Sequence, residues 1–230
     1  MNRIILLRHG EAAHAGQGLT GGWTDSHLTP LGEKQAQVTG AALAKMLTGG
    51  DFGFYASDLS RASETAQIIG AKLGIEPNLD GNLREFNNGD AANLTVEEAL
   101  KLQTPPTQPL VDYVPYPGAE SWRQMNERVS GCMERISEAC AETAVIVTHT
   151  LSATAVVHWW LKFGPDDWGR VSYDLEPASI TLLTRNAFGQ RTITRLNDTR
   201  HLAAEGCESH VEAMPGVRAV SYTHLRAHET

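Results

Sequence analysis

The feature that most constrains the fold is an uninterrupted apolar run near the start of the chain, followed at once by basic side chains. Residues 4 to 7 are Ile, Ile, Leu and Leu, and Arg8, His9 and Gly10 come next. An apolar run without alternation is typical of a strand that is buried on both faces of a parallel sheet. Because ligands bind at the carboxyl ends of strands in open α/β sheets, we expect Arg8 and His9 to lie at a binding site.

A second run of the same form lies far along the chain. Residues 144 to 147 are apolar, Thr148 and His149 follow them, and the pattern predicts a helix over 151–163. Two such strands in one parallel sheet end at the same edge. We therefore expect His9 and His149 to meet there.

The rest of the chain predicts strands that alternate with helices. Further strands are predicted over 52–56, 179–184 and 191–196, and further helices over 30–47, 60–73 and 122–140. Thr29, which precedes Pro30, and Ser60 are predicted to cap their helices, and Ser121 with Gln124 forms a capping box. This order predicts an α/β protein, a three-layer αβα sandwich with a mainly parallel sheet in a single domain over 1–200.

The regular pattern breaks between residues 81 and 118. This stretch contains five prolines and one short helical pattern over 95–102. A long irregular insertion in a compact domain is usually a lid or a binding loop. We expect a lid at about 81–118.

Composition restricts the class of partner and the compartment. The formal net charge is −8, which argues against nucleic acid or an anionic membrane as a partner, because both require a positive surface. The chain has no apolar stretch of about 18 residues and no secretory signal pattern, so we expect a cytoplasmic protein. Oligomeric state has no signature in the sequence.

Six short motifs follow one another along the chain: Arg8-His9-Gly10, Gly22-Trp23-Thr24-Asp25, Leu28-Thr29-Pro30-Leu31-Gly32, Ser57-Asp58-Leu59-Ser60-Arg61, Leu83-Arg84-Glu85 and Val147-Thr148-His149. In their order and spacing they resemble the motifs of the histidine phosphatase superfamily, the phosphoglycerate-mutase-like group. The resemblance covers roughly residues 3–200.

The resemblance implies a phosphate pocket and a nucleophile. Phosphomonoester cleavage needs a nucleophile, positive charge around the phosphate oxygens and an acid for the leaving group. By the resemblance His9 is the nucleophile, and His149 steadies the transferring group. Arg8 and Arg61 bind the phosphate, for which the guanidinium fork is well shaped. Thr150 adds a backbone donor at the start of the helix that is predicted over 151–163.

The resemblance assigns the proton donor to Glu85, and Glu11 beside the signature is a rival that the sequence leaves open. A proton donor must hold its proton near neutrality, which an apolar environment favours. Members of the family commonly carry Ser or Thr and then Asn where this chain has Ala12 and Ala15. One phosphate contact is therefore missing, and the neighbouring candidates to supply it are His14 and the loop over 16–20.

The sequence thus predicts a metal-independent phosphatase without a cofactor, which hydrolyses a small phosphorylated metabolite through a phosphohistidine. A phosphoglycerate-type mutase is an alternative, although residues 86–89 are Phe-Asn-Asn-Gly where mutases carry Arg, His and Tyr. A phosphate-ligand binding protein that has lost turnover is a further alternative.

Residues 201–230 form a C-terminal extension. Its last ten resemble translated adapter sequence, so deletion of 221–230 should leave activity intact.

Overall fold

A computed structural model describes residues 1–47, 51–140 and 142–208. The last ten residues, whose deletion we predict to be harmless, lie outside the described part. The strands are β1 Arg3–Arg8, β2 Phe52–Ala56, β3 Asn78–Leu79, β4 Thr143–Thr148, β5 Ile180–Arg185 and β6 Arg191–Asp198. The helices are α1 Ala13–Gly16, α2 Pro30–Met46, α3 Ser60–Leu73, α4 Val96–Leu102, α5 Trp122–Ala139, α6 Thr150–Leu161, α7 Pro165–Trp168 and α8 Arg200–Ala203.

The strands form one six-stranded sheet in the order β3-β2-β4-β1-β5-β6. Strands β1 to β4 are mutually parallel, and β1 pairs with β4 from Arg3 opposite Thr143 to Arg8 opposite Thr148. Strand β5 joins β1 antiparallel and forms a hairpin with β6. The predicted α/β class and mainly parallel sheet are confirmed, and the two histidine-bearing strands are direct neighbours.

The two faces of the sheet bury two separate cores. Ile4 and Leu6 of β1 contact the core beneath α5 and α6, whereas Ile5 and Leu7 contact the core beneath α2 and α3. Successive side chains of a strand point to opposite faces. The continuous apolar run therefore reflects burial on both sides, as the three-layer prediction requires.

The predicted caps are confirmed at α2 and α5 but wrong at α3. The Thr29 hydroxyl accepts from the Gly32 amide, and Ser121 forms its capping box with the N3 glutamine. At α3 the N-cap is Leu59, and Ser60 is the first helical residue. Asp25 supplies the missing cap, since its carboxylate accepts from the Ser60 amide at 2.8 Å and from the Ser60 hydroxyl at 2.9 Å.

The segment over 81–118 contains α4 and the 3-10 turns Gly81–Leu83, Gly89–Ala91 and Leu110–Asp112. It has a small core of its own, formed by Ala91, Ala99 and Tyr116. It also bonds to the loop that follows α1. The Thr20 amide donates to the Leu94 carbonyl at 2.9 Å, and the Val96 amide donates to the Gly18 carbonyl at 3.1 Å. We call the loop over 16–26 the signature loop.

None of the helices in the described ranges is long and apolar enough to cross a membrane.

Candidate active site

His9 lies at the carboxyl end of β1 and is 4% exposed. Its Nδ1 lies 2.7 Å from the Gly10 carbonyl oxygen, which can only accept, so this nitrogen carries the ring proton. The lone pair is therefore on Nε2, which accepts from Nε of Arg61 at 3.2 Å. Burial, and then the positive charges of Arg61 and Arg8, lower the pKa of His9 well below 6.5. The ring is neutral at neutral pH.

His149 follows β4 at the same edge, and its ring centroid is 5.0 Å from that of His9. Its Nε2 lies 2.8 Å from the Ser57 hydroxyl. That hydroxyl accepts from the Leu59 amide at 3.3 Å, and its single proton can at the same time be donated to Nε2. The ring proton then belongs to Nδ1, which is buried and has no hydrogen-bond partner among the described residues. Burial first, and then Arg61, lower the pKa of His149 well below 6.5.

Two guanidinium groups lie beside the histidines. Arg8 donates from Nη1 to the Leu175 carbonyl, and its buried Nε has no partner within the described residues. Arg61 is 1% exposed and donates to the carbonyl oxygens of Thr24 at 2.7 Å and Gly22 at 2.8 Å. Burial lowers the pKa of Arg61 to about 10, which leaves it charged at neutral pH.

Glu85 lies against the start of α6. Its carboxylate accepts from the Leu151 amide at 3.2 Å and from the Ser152 amide at 3.3 Å, and its negative charge acts on Arg8 and Arg61. Amides at a helix start stabilise a negative charge.

Two further sequence candidates lie elsewhere in this arrangement. The Glu11 carboxylate accepts from the Thr29 hydroxyl at 2.8 Å, at the start of α2. Thr150 is the first residue of α6, and the amide that bonds Glu85 belongs to the next residue.

Sequence reasoning did not assign roles to several residues that hold these groups. Ser57 orients His149, and Thr65 accepts from the Gly10 amide at 3.0 Å. Ser57 follows the end of β2, which was a usable signal, whereas Thr65 has no such mark. Gly10 itself is required by close packing, because a Cβ there would lie 2.6 Å from the Gly32 carbonyl oxygen.

The site can therefore present an unprotonated imidazole nitrogen, two guanidinium groups and a buried ring donor to one small anion. Among the described residues no group of three or more His, Cys, Asp or Glu side chains is placed to hold a metal ion.

The model of the histidine phosphatase superfamily, branch 1, matches residues 4–199. The chain therefore belongs to the histidine phosphatase superfamily, as its motifs predict. It is similar to phosphoglycerate mutase-like protein 4 of Arabidopsis thaliana, with 35% identity over 64% of this chain and 65% of that protein. The alignment thus spans less than two thirds of the plant protein.

A protein of Hydrogenobacter thermophilus with the provisional name phosphoserine phosphatase 2 is 30% identical over 68% of this chain and 77% of its own length. Among solved structures, a mycobacterial glucosyl-3-phosphoglycerate phosphatase superposes with a TM-score of 0.70 at 23% identity, over 86% of this chain and all of that chain. This second likeness concerns the fold.

Proposed function

We propose that the protein is a phosphomonoester hydrolase that acts on a small phosphorylated metabolite through a phosphohistidine on His9. The observation that carries the proposal is the pair of hydrogen-bond partners of His9. Its Nδ1 proton is held by the Gly10 carbonyl and its Nε2 bears the lone pair. A neutral imidazole with a fixed lone pair is what nucleophilic attack on phosphorus requires.

In the first step Nε2 of His9 attacks phosphorus, and the bond from phosphorus to the leaving oxygen breaks. Protonated Glu85 gives its proton to that oxygen, and its carboxylate is then stabilised by the amides at the start of α6. In the second step water attacks phosphorus and gives a proton to Glu85, and the bond from phosphorus to nitrogen breaks. Inorganic phosphate leaves, and His9 is neutral again.

Arg8, Arg61 and His149 bind the phosphoryl group in this proposal. The buried Nε of Arg8 and the buried Nδ1 of His149 are donors without a protein partner in the described part of the chain, which supports an anion between them. Arg61 releases His9 and donates to a phosphoryl oxygen when substrate binds. The guanidinium charges neutralise the transition state, so the step needs no metal ion. The Thr150 amide is a further donor at this edge.

Glu85 is favoured over Glu11 as proton donor because its carboxylate bonds to the Leu151 amide, two residues beyond His149, whereas the Glu11 carboxylate bonds to the hydroxyl that caps α2. The segment over 81–118 is then a lid that selects the substrate, since it carries residues 86–88 directly after Glu85.

The test is phosphate release from 4-nitrophenyl phosphate between about pH 5 and 8 in the presence of a chelator. We expect turnover in the wild type, none in His9→Ala, and normal turnover in the control His27→Ala, whose side chain is 79% exposed. A chelator-sensitive activity, or one that survives in His9→Ala, would contradict the proposal.

A mutase is the second candidate, favoured by the name of the plant relative. The positions after Glu85 oppose it, because Phe86 packs against Trp122 and the Asn88 amide oxygen accepts from the Trp23 amide at 2.9 Å. These side chains supply no cation for a second acidic group. Isomerisation of a phosphoglycerate primed by its bisphosphate would establish the mutase. Phosphate binding without any phosphohistidine would instead indicate a binding protein.

A further inference from the structure

His14 is a half-buried histidine of α1 that the proposed mechanism does not use. Its Nδ1 lies 2.7 Å from the Ser26 hydroxyl, within the signature loop. Its Nε2 is 3.7 Å from the position of a Cβ on Gly21 and has no hydrogen-bond partner among the described residues. The ring is therefore held at one nitrogen and leaves the other available to a ligand.

His14 adjoins the proposed phosphate pocket, because the Gly21 that its ring faces precedes Gly22, whose carbonyl oxygen accepts from Arg61 at 2.8 Å. Burial lowers its pKa to about 4, and the next causes are the charges of Arg61 and Arg8. When protonated, His14 also lowers the pKa values of His9 and His149, so the three rings lie close together. The ring is thus near the same basic pocket and is neutral at neutral pH.

We propose that His14 is a substrate-binding residue that donates a hydrogen bond from Nε2 to an oxygen of the bound phosphoryl group. His14 is the one polar side chain in the run Ala12-Ala13-His14-Ala15, so any side-chain contact from this turn must come from it. The inference rests on the proposed function and adds a phosphate contact to it.

The Ser26 hydroxyl sets the direction of this bond. When Ser26 donates its proton to Nδ1, the ring proton belongs to Nε2, which can then donate to an anion. In the other tautomer Nε2 bears a lone pair that repels phosphate oxygen. Bound phosphate therefore selects the first tautomer, and Ser26 acts as a positioning residue for His14.

The experiment measures the affinity for inorganic phosphate by calorimetry at neutral pH, together with KM and kcat for 4-nitrophenyl phosphate. Loss of one hydrogen bond to an anion should weaken phosphate binding and raise KM about 10-fold in His14→Ala, with kcat changed less. We expect about a 3-fold effect in Ser26→Ala, where the ring remains but its tautomer is no longer fixed. The control is His27→Ala, which removes an exposed histidine from the adjoining segment.

Two rescue variants keep the test sharp if the alanine variant folds poorly. His14→Gln and His14→Asn each retain a side-chain amide that can donate, one with a longer reach and one with a shorter reach. Both should recover most of the phosphate affinity, which a purely structural role of His14 would not produce.

An unchanged phosphate affinity in His14→Ala, or no recovery in both rescue variants, would overturn the inference. Phosphohistidine on His9 is scored separately in quenched wild-type reactions. Its absence would reject the proposed function, whereas a loss of phosphate affinity in His14→Ala would still support the contact.

Discussion

His9 and His149 are chemically the same side chain at the same edge of the sheet, and both are neutral for the same reason. Burial and the arginines lower both pKa values well below 6.5. They differ in their hydrogen-bond partners. His9 faces a carbonyl oxygen through Nδ1, whereas His149 faces a hydroxyl through Nε2.

This difference assigns the two rings opposite properties. The carbonyl of Gly10 compels His9 to donate and leaves its other nitrogen with a lone pair. The hydroxyl of Ser57 can donate to His149 and leaves its other nitrogen with a proton. One ring is suited to attack phosphorus and the other to bind a phosphate oxygen, although neither property is set by the histidine itself.

The largest expected effect is the loss of the covalent step, which should distinguish His9 from His149. In His9→Gln we expect turnover to fall about 10⁴-fold or more, because the nucleophile is lost. No phosphorylated protein should be trapped in an alkaline quench of the reaction. A trapped phosphohistidine in this variant would assign the nucleophile to another residue.

His149→Gln should lose less activity than His9→Gln and should still form the phosphohistidine. A glutamine can donate to a phosphate oxygen but not from the same place, so kcat should fall about 10²- to 10³-fold. The same quench should still capture phosphohistidine on His9. If the phosphorylated protein disappears here but persists in His9→Gln, the roles are reversed.

The free energy of unfolding should depend on pH because both rings are neutral in the folded protein. Each histidine takes up a proton near pH 6.5 when unfolded but stays neutral below that pH when folded, so acid favours the unfolded chain. The free energy of unfolding should decrease by about 1.4 kcal/mol per pH unit for each such ring as the pH falls below about 6.5. Urea titrations of wild type and His149→Gln at pH 7 and 5 measure it, and the variant should show the shallower decrease. Equal slopes would mean that His149 is not kept neutral by the fold.

The smallest effect should come from Ser57→Ala. The His149 ring stays in place but loses the hydroxyl that fixes its proton, so kcat should fall about 10-fold. In a His149→Gln background, Ser57→Ala should lower kcat much less than it does in the wild type, as expected for two residues that act together. Full additivity would show that Ser57 acts independently of His149.

The sequence predicted the rim of the sheet well because strands buried on both faces have continuous apolar runs, and the basic residues follow directly after them. The predictions for β1 and β4 depended only on that local pattern. Prediction was wrong at α3, since its cap comes from Asp25, which is 35 residues away from Ser60. The pair of Ser57 with His149 joins residues 92 positions apart, so the place of Ser57 after β2 marks it as a residue at the carboxyl edge of the sheet but does not identify its partner.

The ladder of the sheet continues one residue beyond β1 and β2. The His9 amide donates to the Thr148 carbonyl at 2.9 Å, and the Ser57 amide donates to the Val147 carbonyl at 3.0 Å. These amides belong to the cooperative centre of the domain rather than to its loops. Hydrogen exchange there should require opening of the whole sheet. Heat should accordingly displace the two rings only when it melts the domain, whereas Glu85, which lies in the segment over 81–118, can lose its place at a lower temperature.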